Sequence, residues 1–236
     1  MDNAAGHEER VDVEGVRANL RTWRAIAQGF DATRARPWAP VAEFLAALPG
    51  GSRVLDAGCG NGRHLVVAVE RRLVAHGLDL SPPLLQAARR RAPRAKLCHG
   101  LLERPPFRDA SFDAVLCVAA MHHVRGASSR LHAWTALGRL VRPGGRLLAT
   151  VWALDQPRFR DRPPAPPPGR HEPGDALVGW SRDGVEEQRF VHLYKGGELS
   201  RELTEGGWDV ESESGIALGG SEADNFVAWA RRPEPL

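Results

Sequence analysis

The run of residues 54–62, Val-Leu-Asp-Ala-Gly-Cys-Gly-Asn-Gly, constrains the fold more than any other part of this chain. Its apolar start is followed by three glycines that alternate with other residues: Gly58, Gly60 and Gly62. This pattern predicts a buried strand and a tight turn, because glycine adopts backbone conformations closed to other residues and lets a ligand approach the main chain. A second apolar run, residues 74–80, contains Asp79 near its end. Adjacent parallel strands that end in a glycine turn and an acid predict a nucleoside pocket, with Asp79 accepting the ribose hydroxyls.

The spacing of the glycines narrows the choice of ligand. A dinucleotide site has the pattern GxGxxG, which points a helix N-terminus at pyrophosphate, whereas this chain has GxGxG preceded by Asp56. An acid beside the loop repels phosphate and suits a cationic amine. With this motif the chain resembles the class I S-adenosylmethionine-dependent methyltransferases between about residues 30 and 152. The resemblance implies S-adenosylmethionine as the cofactor, and it adds three leucines to the expected cofactor-binding residues: Leu80, Leu101 and Leu102.

Predicted strands and helices alternate along the chain, as in a doubly wound α/β protein. Apolar runs predict strands at residues 53–57, 74–80, 95–99, 114–119, 146–152, 188–194, 209–214 and 225–229. Amphipathic spacing predicts one or two helices within residues 11–38, and others over 41–48, from Ser81 onward, over 129–141 and over 199–205. Together with the resemblance, this order predicts a Rossmann-like α/β fold with a mainly parallel seven-stranded sheet and helices on both faces.

Length and composition favour a single domain. The chain has 236 residues, of which 42% are hydrophobic and 26% charged, as in ordinary globular proteins. We predict an acidic tail over residues 1–14 and one methyltransferase domain over residues 15–236. Within that domain, residues 157–174 form an insertion rich in proline and arginine that we expect to be extended and mobile. The three cysteines are far apart and no apolar run approaches ~18 residues, so we expect a cytoplasmic protein without a membrane span or a metal site.

Segments outside the cofactor core point to one group of methyltransferases. They are Thr33-Arg34 with Pro37-Trp38, the pair His122-His123, and residues 152–156, 175–180, 192–194 and 197–199. With these segments the chain resembles the tRNA wobble-uridine carboxymethyl methyltransferases of the Trm9 and ALKBH8 family over most of its length beyond residue 23. The resemblance implies esterification of the carboxylate of 5-carboxymethyluridine in a tRNA anticodon loop. It also implies a heterodimer with a small zinc-binding activator that resembles Trm112.

The expected catalytic residues are Arg34, His122 and His123. A carboxymethyl group titrates near ~4, so at neutral pH it is already an ionised nucleophile that needs positioning and exclusion of water rather than a strong base. Arg34 is expected to bind either this carboxylate or the methionine carboxylate of the cofactor, since a guanidinium suits both. One histidine is expected to donate a hydrogen bond to the uracil edge or to the carboxylate, and the resemblance favours His123.

Basic segments are expected to bind the RNA and an exposed strand to bind the activator. Five arginines and one aspartate lie in residues 17–36, and the insertion adds four arginines. The arginines of residues 89–94 are better explained as a solvated helix face. The third predicted strand, residues 95–99, is expected at a sheet edge, where an activator could add a strand.

Two other functions are compatible with parts of the sequence. The first is methylation of an oxygen or carbon atom in a small molecule, which would not require residues 175–180 or 192–199. The second is a non-catalytic RNA-binding scaffold, against which the intact Asp56, glycine turn and Asp79 argue. Titration with the cofactor would separate an enzyme from a scaffold. Methylation of adenine amino groups or of cytosine carbon 5 is disfavoured, because no Asp-Pro-Pro-Tyr run follows the fourth strand and no Pro-Cys pair is present.

Overall fold

The structure, a computed structural model, describes residues 12–34, 36–218 and 222–235. Its helices are α1 Val13–Thr33, α2 Ala39–Ala46, α3 Arg63–Glu70, α4 Pro82–Arg91, α5 Ala127–Leu140 and α6 Glu198–Glu205. Its strands are β1 Arg53–Ala57, β2 Val74–Asp79, β3 Lys96–His99, β4 Phe112–Val118, β5 Val141–Trp152, β6 Asp175–Arg182, β7 Val185–His192, β8 Asp209–Ile216 and β9 Asn225–Arg231. Among the described helices, none has the length and apolar character needed to cross a bilayer.

Seven of the strands form one sheet in the order β3-β2-β1-β4-β5-β9-β8. The first five strands of this order are mutually parallel, and β9 is antiparallel to both of its neighbours. The predicted fold class is confirmed, and β3 lies at a sheet edge as expected. Between β1 and β4 the chain reverses the direction in which it adds strands, and ligands of open α/β sheets bind at such a point, at the carboxyl ends of the strands.

Apolar side chains on both faces of the sheet explain why the central strands are continuous hydrophobic runs. One face packs against α5 and α6 around Trp134, Leu137 and Trp208. The other face packs against α2 and α3 around Phe44 and Leu65. Helices cover both faces of the sheet, so a ligand has access only at its edges and ends. The irregular loops at the carboxyl ends of β1, β2 and β4 are therefore the place where a site can form.

A two-stranded hairpin, β6 and β7, stands apart from the main sheet. The expectation that residues 188–194 belong to the strands that complete the α/β domain is wrong, because β7 pairs with β6 alone. The turn explains the pairing: Asp183 and Gly184 have φ values of 52° and 77°, and an Asp-Gly pair with two positive φ angles forms the two-residue turn that closes a hairpin.

An ion-paired cluster closes the base of this hairpin. His192 lies opposite Asp175 in the register, and its Nδ1 is 2.8 Å from Asp175 Oδ1. Its Nε2 is 3.2 Å from Oε1 of Glu198, at the start of α6. Although burial lowers the pKa of His192, the hydrogen bonds that its ring donates to the Asp175 and Glu198 carboxylates more than offset this effect and raise the pKa above its ordinary value. Glu172 completes a group with the spacing of a metal site, but both ring nitrogens of His192 already bond to carboxylates.

The insertion at residues 157–174 packs more closely than expected. It begins with a short 3-10 helix, Pro157–Phe159, and Ala165 pairs with Leu177 of β6. Pro167 is buried. The expectation that this segment joins neither helix nor sheet is therefore wrong at two points.

Most of the predicted acidic tail, residues 1–11, lies outside the described residues. Asp12 caps α1 by accepting from the Gly15 amide at 2.9 Å, and residues 13–14 belong to that helix.

Candidate active site

One cavity lies at the carboxyl ends of β1, β2 and β4, beneath α1 and the hairpin. It brings together nine of the residues proposed from the sequence: Arg34, Gly58, Gly60, Asp79, Leu80, Leu101, Leu102, His122 and His123. Two others do not line it. Gly62 is the left-handed residue before α3 and packs against Ala88, while Asp56 is buried in β1. Residues from five separate segments thus converge on the point where the topology predicts a ligand.

The Asp79 carboxylate connects the glycine turn after β1 with the start of α4. Its Oδ2 accepts from the Gly60 amide at 2.7 Å and its Oδ1 accepts from the Ser81 amide at 2.8 Å. A carboxylate offers about four lone-pair sites, so both oxygens can still accept from hydroxyl groups. The buried Ser81 hydroxyl does not cap α4, and it has no hydrogen-bond partner among the residues that the structure describes.

The residues around this turn fit S-adenosylmethionine. A Cβ added to Gly58, whose φ is 81°, would lie 2.3 Å from the Ala120 Cβ, so only glycine fits at this turn. Asp79 is placed to receive ribose hydroxyls, and Leu101 and Leu102 give the cavity an apolar wall. When bound there, the cofactor supplies an electrophilic methyl group on a sulfonium centre.

Asp56 is a buried acid, and neither of its oxygens has a hydrogen-bond partner within the described ranges. The nearest basic group is His64, whose Nδ1 lies 3.9 Å from Oδ2. Burial raises the pKa of Asp56 to about 7, with a smaller upward contribution from Asp79, and the opposing charge of Arg63 only partly compensates. In the absence of a ligand this acid is thus about half protonated at neutral pH.

Asp56→Asn is expected to make the cofactor-free protein more stable than the native chain at pH 8. In the unfolded chain the acid ionises near ~4, whereas in the folded protein it stays protonated up to pH about 7. Because the folded protein holds this proton more tightly than the unfolded chain, protonated Asp56 stabilises the fold fully below pH ~4. This stabilisation falls by about 1.4 kcal/mol for each pH unit between pH ~4 and about 7, and it is lost above that range. Urea unfolding of both proteins between pH 4 and 8 measures the difference. A gap between them that does not change with pH would contradict the assignment.

The two histidines differ in the atom that carries the proton. The Trp152 amide donates to His122 Nδ1 at 3.3 Å, so the proton of His122 lies on Nε2, for which the described residues offer no partner. His123 Nδ1 lies 2.8 Å from the Phe190 carbonyl oxygen, so it donates there and leaves Nε2 as an acceptor. Burial lowers the pKa of both rings, that of His123 to about 4. At neutral pH the pair therefore offers one neutral N–H donor and one neutral acceptor.

Three arginines, here called the arginine cluster, lie close enough for their charges to repel one another: Arg34, Arg158 and Arg189. Two of them cover Trp152: the guanidinium carbons of Arg158 and Arg189 lie 4.1 Å and 5.3 Å from the centre of its ring. Among the described residues, none of the three forms an ion pair. Burial, followed by repulsion from Arg158 and Arg34, lowers the pKa of Arg189 to about 10. Unpaired cations that repel one another form a site for an anion.

Arg189 is a candidate site residue that was not predicted from the sequence. It is buried in β7 and lines the cavity, and its Nε atom has no hydrogen-bond partner among the described residues. Its guanidinium also lies over the Trp180 ring at 5.3 Å. A charged residue directly before the apolar pair Phe190-Val191 of a predicted strand was an available signal.

Aromatic side chains roof the cavity between α1 and the hairpin. Trp23 packs edge-on against both Phe30 and His123, with ring centres 5.1 Å and 4.9 Å away. Phe30 lies 6.1 Å from Trp180 of β6. The Asn19 amide donates to the His123 carbonyl oxygen at 2.6 Å and fixes α1 over the site. The roof is suited to a flat ring and to the exclusion of water.

Comparison with known proteins places the chain in a family. Residues 55–149 match the methyltransferase domain family Methyltransf_11. The mouse tRNA (carboxymethyluridine(34)-5-O)-methyltransferase ALKBH8 is 41% identical over 136 residues, which are 58% of this chain and 20% of that protein. A protein of Encephalitozoon cuniculi named as a methyltransferase is 34% identical over 211 residues, 89% of this chain and 92% of its own. The chain belongs to the Trm9-type class I methyltransferases.

Further relatives of this Trm9-type methyltransferase include the Arabidopsis thaliana tRNA (carboxymethyluridine(34)-5-O)-methyltransferase, 38% identical over 58% of the chain and 33% of that protein. The chain thus spans a fifth to a third of the length of these tRNA methyltransferases. Solved structures share its fold. A Methanosarcina mazei S-adenosylmethionine-dependent methyltransferase has a TM-score of 0.73 at 19% identity, covering 85% of this chain and 100% of its own. The predicted family, its methyltransferase class and its cofactor are confirmed.

A second solved structure is the methyltransferase in complex with the Haloferax volcanii Trm112 activator. It has a TM-score of 0.64 at 18% identity and covers 94% of the Trm9-type chain and 99% of its own. At this level of identity the likeness concerns the fold.

Proposed function

We propose that this protein transfers a methyl group from S-adenosylmethionine to the carboxylate of 5-carboxymethyluridine at the wobble position of a tRNA anticodon. The observation that carries the proposal is the arginine cluster, whose three guanidinium groups have no carboxylate partner in the described part of the chain, together with the nearby Nε2–H of His122, which has no partner there either. The relatives named as tRNA carboxymethyluridine methyltransferases support the substrate. Catalytic roles for Arg34, His122 and His123 are part of this proposal.

The charge of the site favours an acceptor that is already an anion. Leaving a buried cation unpaired is costly, so the arginine cluster is expected to gain a carboxylate from the substrate. An amine or hydroxyl acceptor would need a general base, and a base works best when its pKa lies near the working pH. Burial lowers the pKa of His123 to about 4 and that of His122 well below its ordinary value, so both are weak bases. An ionised carboxylate needs no base.

The remaining groups would orient the acceptor. Arg189 and the Nε2–H of His122 are hydrogen-bond donors. Together they would bind one oxygen of the acceptor carboxylate while its other oxygen faces the methyl group. The His123 Nε2 lone pair matches the N3–H of a uracil ring, and the roof of Trp23, Phe30 and Trp180 offers flat surfaces for it. The same roof would keep water from the charged groups, which strengthens their attraction in the transition state.

A Trm112-like activator and a cytoplasmic setting complete the proposal. β3 has a free edge with Leu97 and Cys98 partly exposed, and such an edge accepts an additional strand. The likeness to a methyltransferase held by an archaeal Trm112 supports a partner of this kind. The cysteines Cys59, Cys98 and Cys117 are free, as in a reducing compartment.

The proposal is tested by offering the protein three acceptors with labelled S-adenosylmethionine, with and without a Trm112-type activator. They are an anticodon stem–loop with 5-carboxymethyluridine at the wobble position, the same RNA with unmodified uridine, and a panel of small carboxylic acids. Mass spectrometry of the nucleosides should find a methyl ester only in the first. Equal turnover of the small acids would favour a small-molecule O-methyltransferase, and absence of turnover with all three would refute the proposed activity.

A further inference from the structure

A second, open cavity of about 1250 Å³ adjoins the active-site cavity on the other side of Trp152. We call it the arginine groove. It shares four lining residues with the active-site cavity: Arg34, Trp38, Arg63 and Trp152. Its walls come from the link between α1 and α2, from the 3-10 helix Pro157–Phe159, and from the ends of β8 and β9. A chain that places one residue in the active site can therefore continue directly into this groove.

The groove has an excess of available positive charge. Four arginines line it, Arg34, Arg36, Arg63 and Arg158, and none of them forms an ion pair with a described residue. The two acids on the opposite wall already have partners within the protein. Glu222 pairs with Arg160, and Asp224 accepts from the Leu218 amide at 2.9 Å and from the Asn225 side chain at 2.8 Å.

Flat surfaces accompany this charge. The Arg63 guanidinium carbon lies 4.4 Å from the centre of the Trp38 ring, and that of Arg158 lies 4.1 Å from the centre of Trp152. Each pair stacks a guanidinium on an indole, and the Arg158 guanidinium also lies 4.4 Å from the centre of the Phe159 ring. Alternating guanidinium groups and aromatic rings are how proteins hold unpaired nucleotides, with phosphates on the cations and bases on the flat faces.

We infer that the arginine groove binds the nucleotides that adjoin the methylated uridine in single-stranded RNA. The inference rests on the proposed function, since it assigns the path of that substrate beyond the active site. Continuity with the active-site cavity, the excess of unpaired arginines and the stacked indoles favour an extended polyanion with planar bases. Among the lining residues, Arg36 is the one best suited to a test, because it is exposed and lies outside the active-site cavity.

The test compares Arg36→Ala with Arg90→Ala, an exposed arginine on α4 that lines neither cavity and belongs to the solvated helix face. For the anticodon stem–loop, Arg36→Ala should raise KM and the Kd measured by fluorescence anisotropy about fivefold to tenfold. It should also reduce the slope of log Kd against log salt by about 0.7, the value for one phosphate contact on a single strand. The kcat and the Kd for S-adenosylmethionine should stay unchanged, and Arg90→Ala should behave as the native chain.

Two outcomes separate the inference from the proposed function. If the stem–loop is methylated but both variants change its Kd equally, RNA does not follow the groove and the inference fails while the function stands. If no methylation occurs, the anisotropy measurement with the unmodified stem–loop still decides whether the groove binds RNA. Equal binding by the native chain and Arg36→Ala then overturns the inference, whereas the expected loss supports it.

Discussion

Arg189→Ala is expected to lower kcat/KM for the 5-carboxymethyluridine stem–loop by about 10²- to 10³-fold, the usual effect of losing one preorganised donor to a charge in the active site. The Kd for S-adenosylmethionine should change little. Stability should not fall, because the variant removes a buried guanidinium that has no ion-pair partner. Steady-state kinetics, calorimetric titration of the cofactor and urea unfolding measure these quantities. Arg189→Lys keeps the charge without the planar fork and should recover only part of the activity.

The control for this prediction is Arg182→Ala, an exposed arginine of the same hairpin that lines neither cavity. Activity within twofold of the native chain in Arg189→Ala would contradict the role of the arginine cluster.

Arg34→Ala, measured alongside, separates the two roles left open for that residue. A rise in the cofactor Kd would assign Arg34 to the methionine carboxylate, and a loss of turnover at unchanged cofactor Kd would assign it to the acceptor. His123→Ala is likewise expected to lose methyl transfer while keeping the fold.

Glu202→Ala is expected to lower the free energy of unfolding by about 3–5 kcal/mol, which makes it the most damaging single change to stability that we predict. The buried Glu202 carboxylate accepts from Arg130 Nε at 2.8 Å, from the Tyr194 hydroxyl at 2.8 Å and from Trp134 Nε1 at 3.1 Å. Arg130 is itself only 1% exposed, and its other carboxylate partner, Glu172, lies 3.3 Å away at the surface. Without Glu202, three buried donors lose their acceptor.

Urea unfolding tests this prediction with Glu205→Ala as its control. Glu205 lies on the same helix, pairs with Arg201 at 3.9 Å and is exposed, so its loss should cost no more than about 0.5 kcal/mol. A second variant, Arg130→Met combined with Glu202→Leu, removes both charges and should recover the part of the loss that comes from the unpaired Arg130, whereas the Tyr194 hydroxyl and Trp134 Nε1 remain without the acceptor that Glu202 supplied. Equal destabilisation by Glu202→Ala and Glu205→Ala would show that the buried network contributes little.

The parts of the fold that followed from the sequence are those specified by local pattern. Strand β1 was predicted at its observed bounds, because an apolar run that ends in glycines has few other conformations. β2, predicted over residues 74–80, ends one residue earlier at Asp79, and α4, predicted from Ser81 onward, begins at Pro82. Asp79 was identified because its position depends only on the strand that carries it, and the topology then brings adjacent strand ends together.

The remainder of the site depends on contacts that are distant in sequence. The tautomers of His122 and His123 are set by Trp152 and by Phe190, which lie 30 and 67 residues further along the chain. Arg189 reaches the cavity only because β7 pairs with β6 instead of joining the main sheet. Asp56 was expected beside the cofactor amine, yet its burial beneath the loop depends on packing that the motif alone does not specify.

The ion-paired base of the hairpin has a consequence for how this enzyme tolerates change. Because Asp175 and His192 face each other and Glu198 holds the same ring, the hairpin is anchored at the point where residues 157–174 enter it. Additions or deletions in that segment would therefore leave the register of β7, and with it the position of Arg189, intact. The part of the segment that follows the 3-10 helix Pro157–Phe159, which carries Arg158, can thus change in length while the arginine cluster keeps its geometry, and this makes it the natural place to graft new recognition.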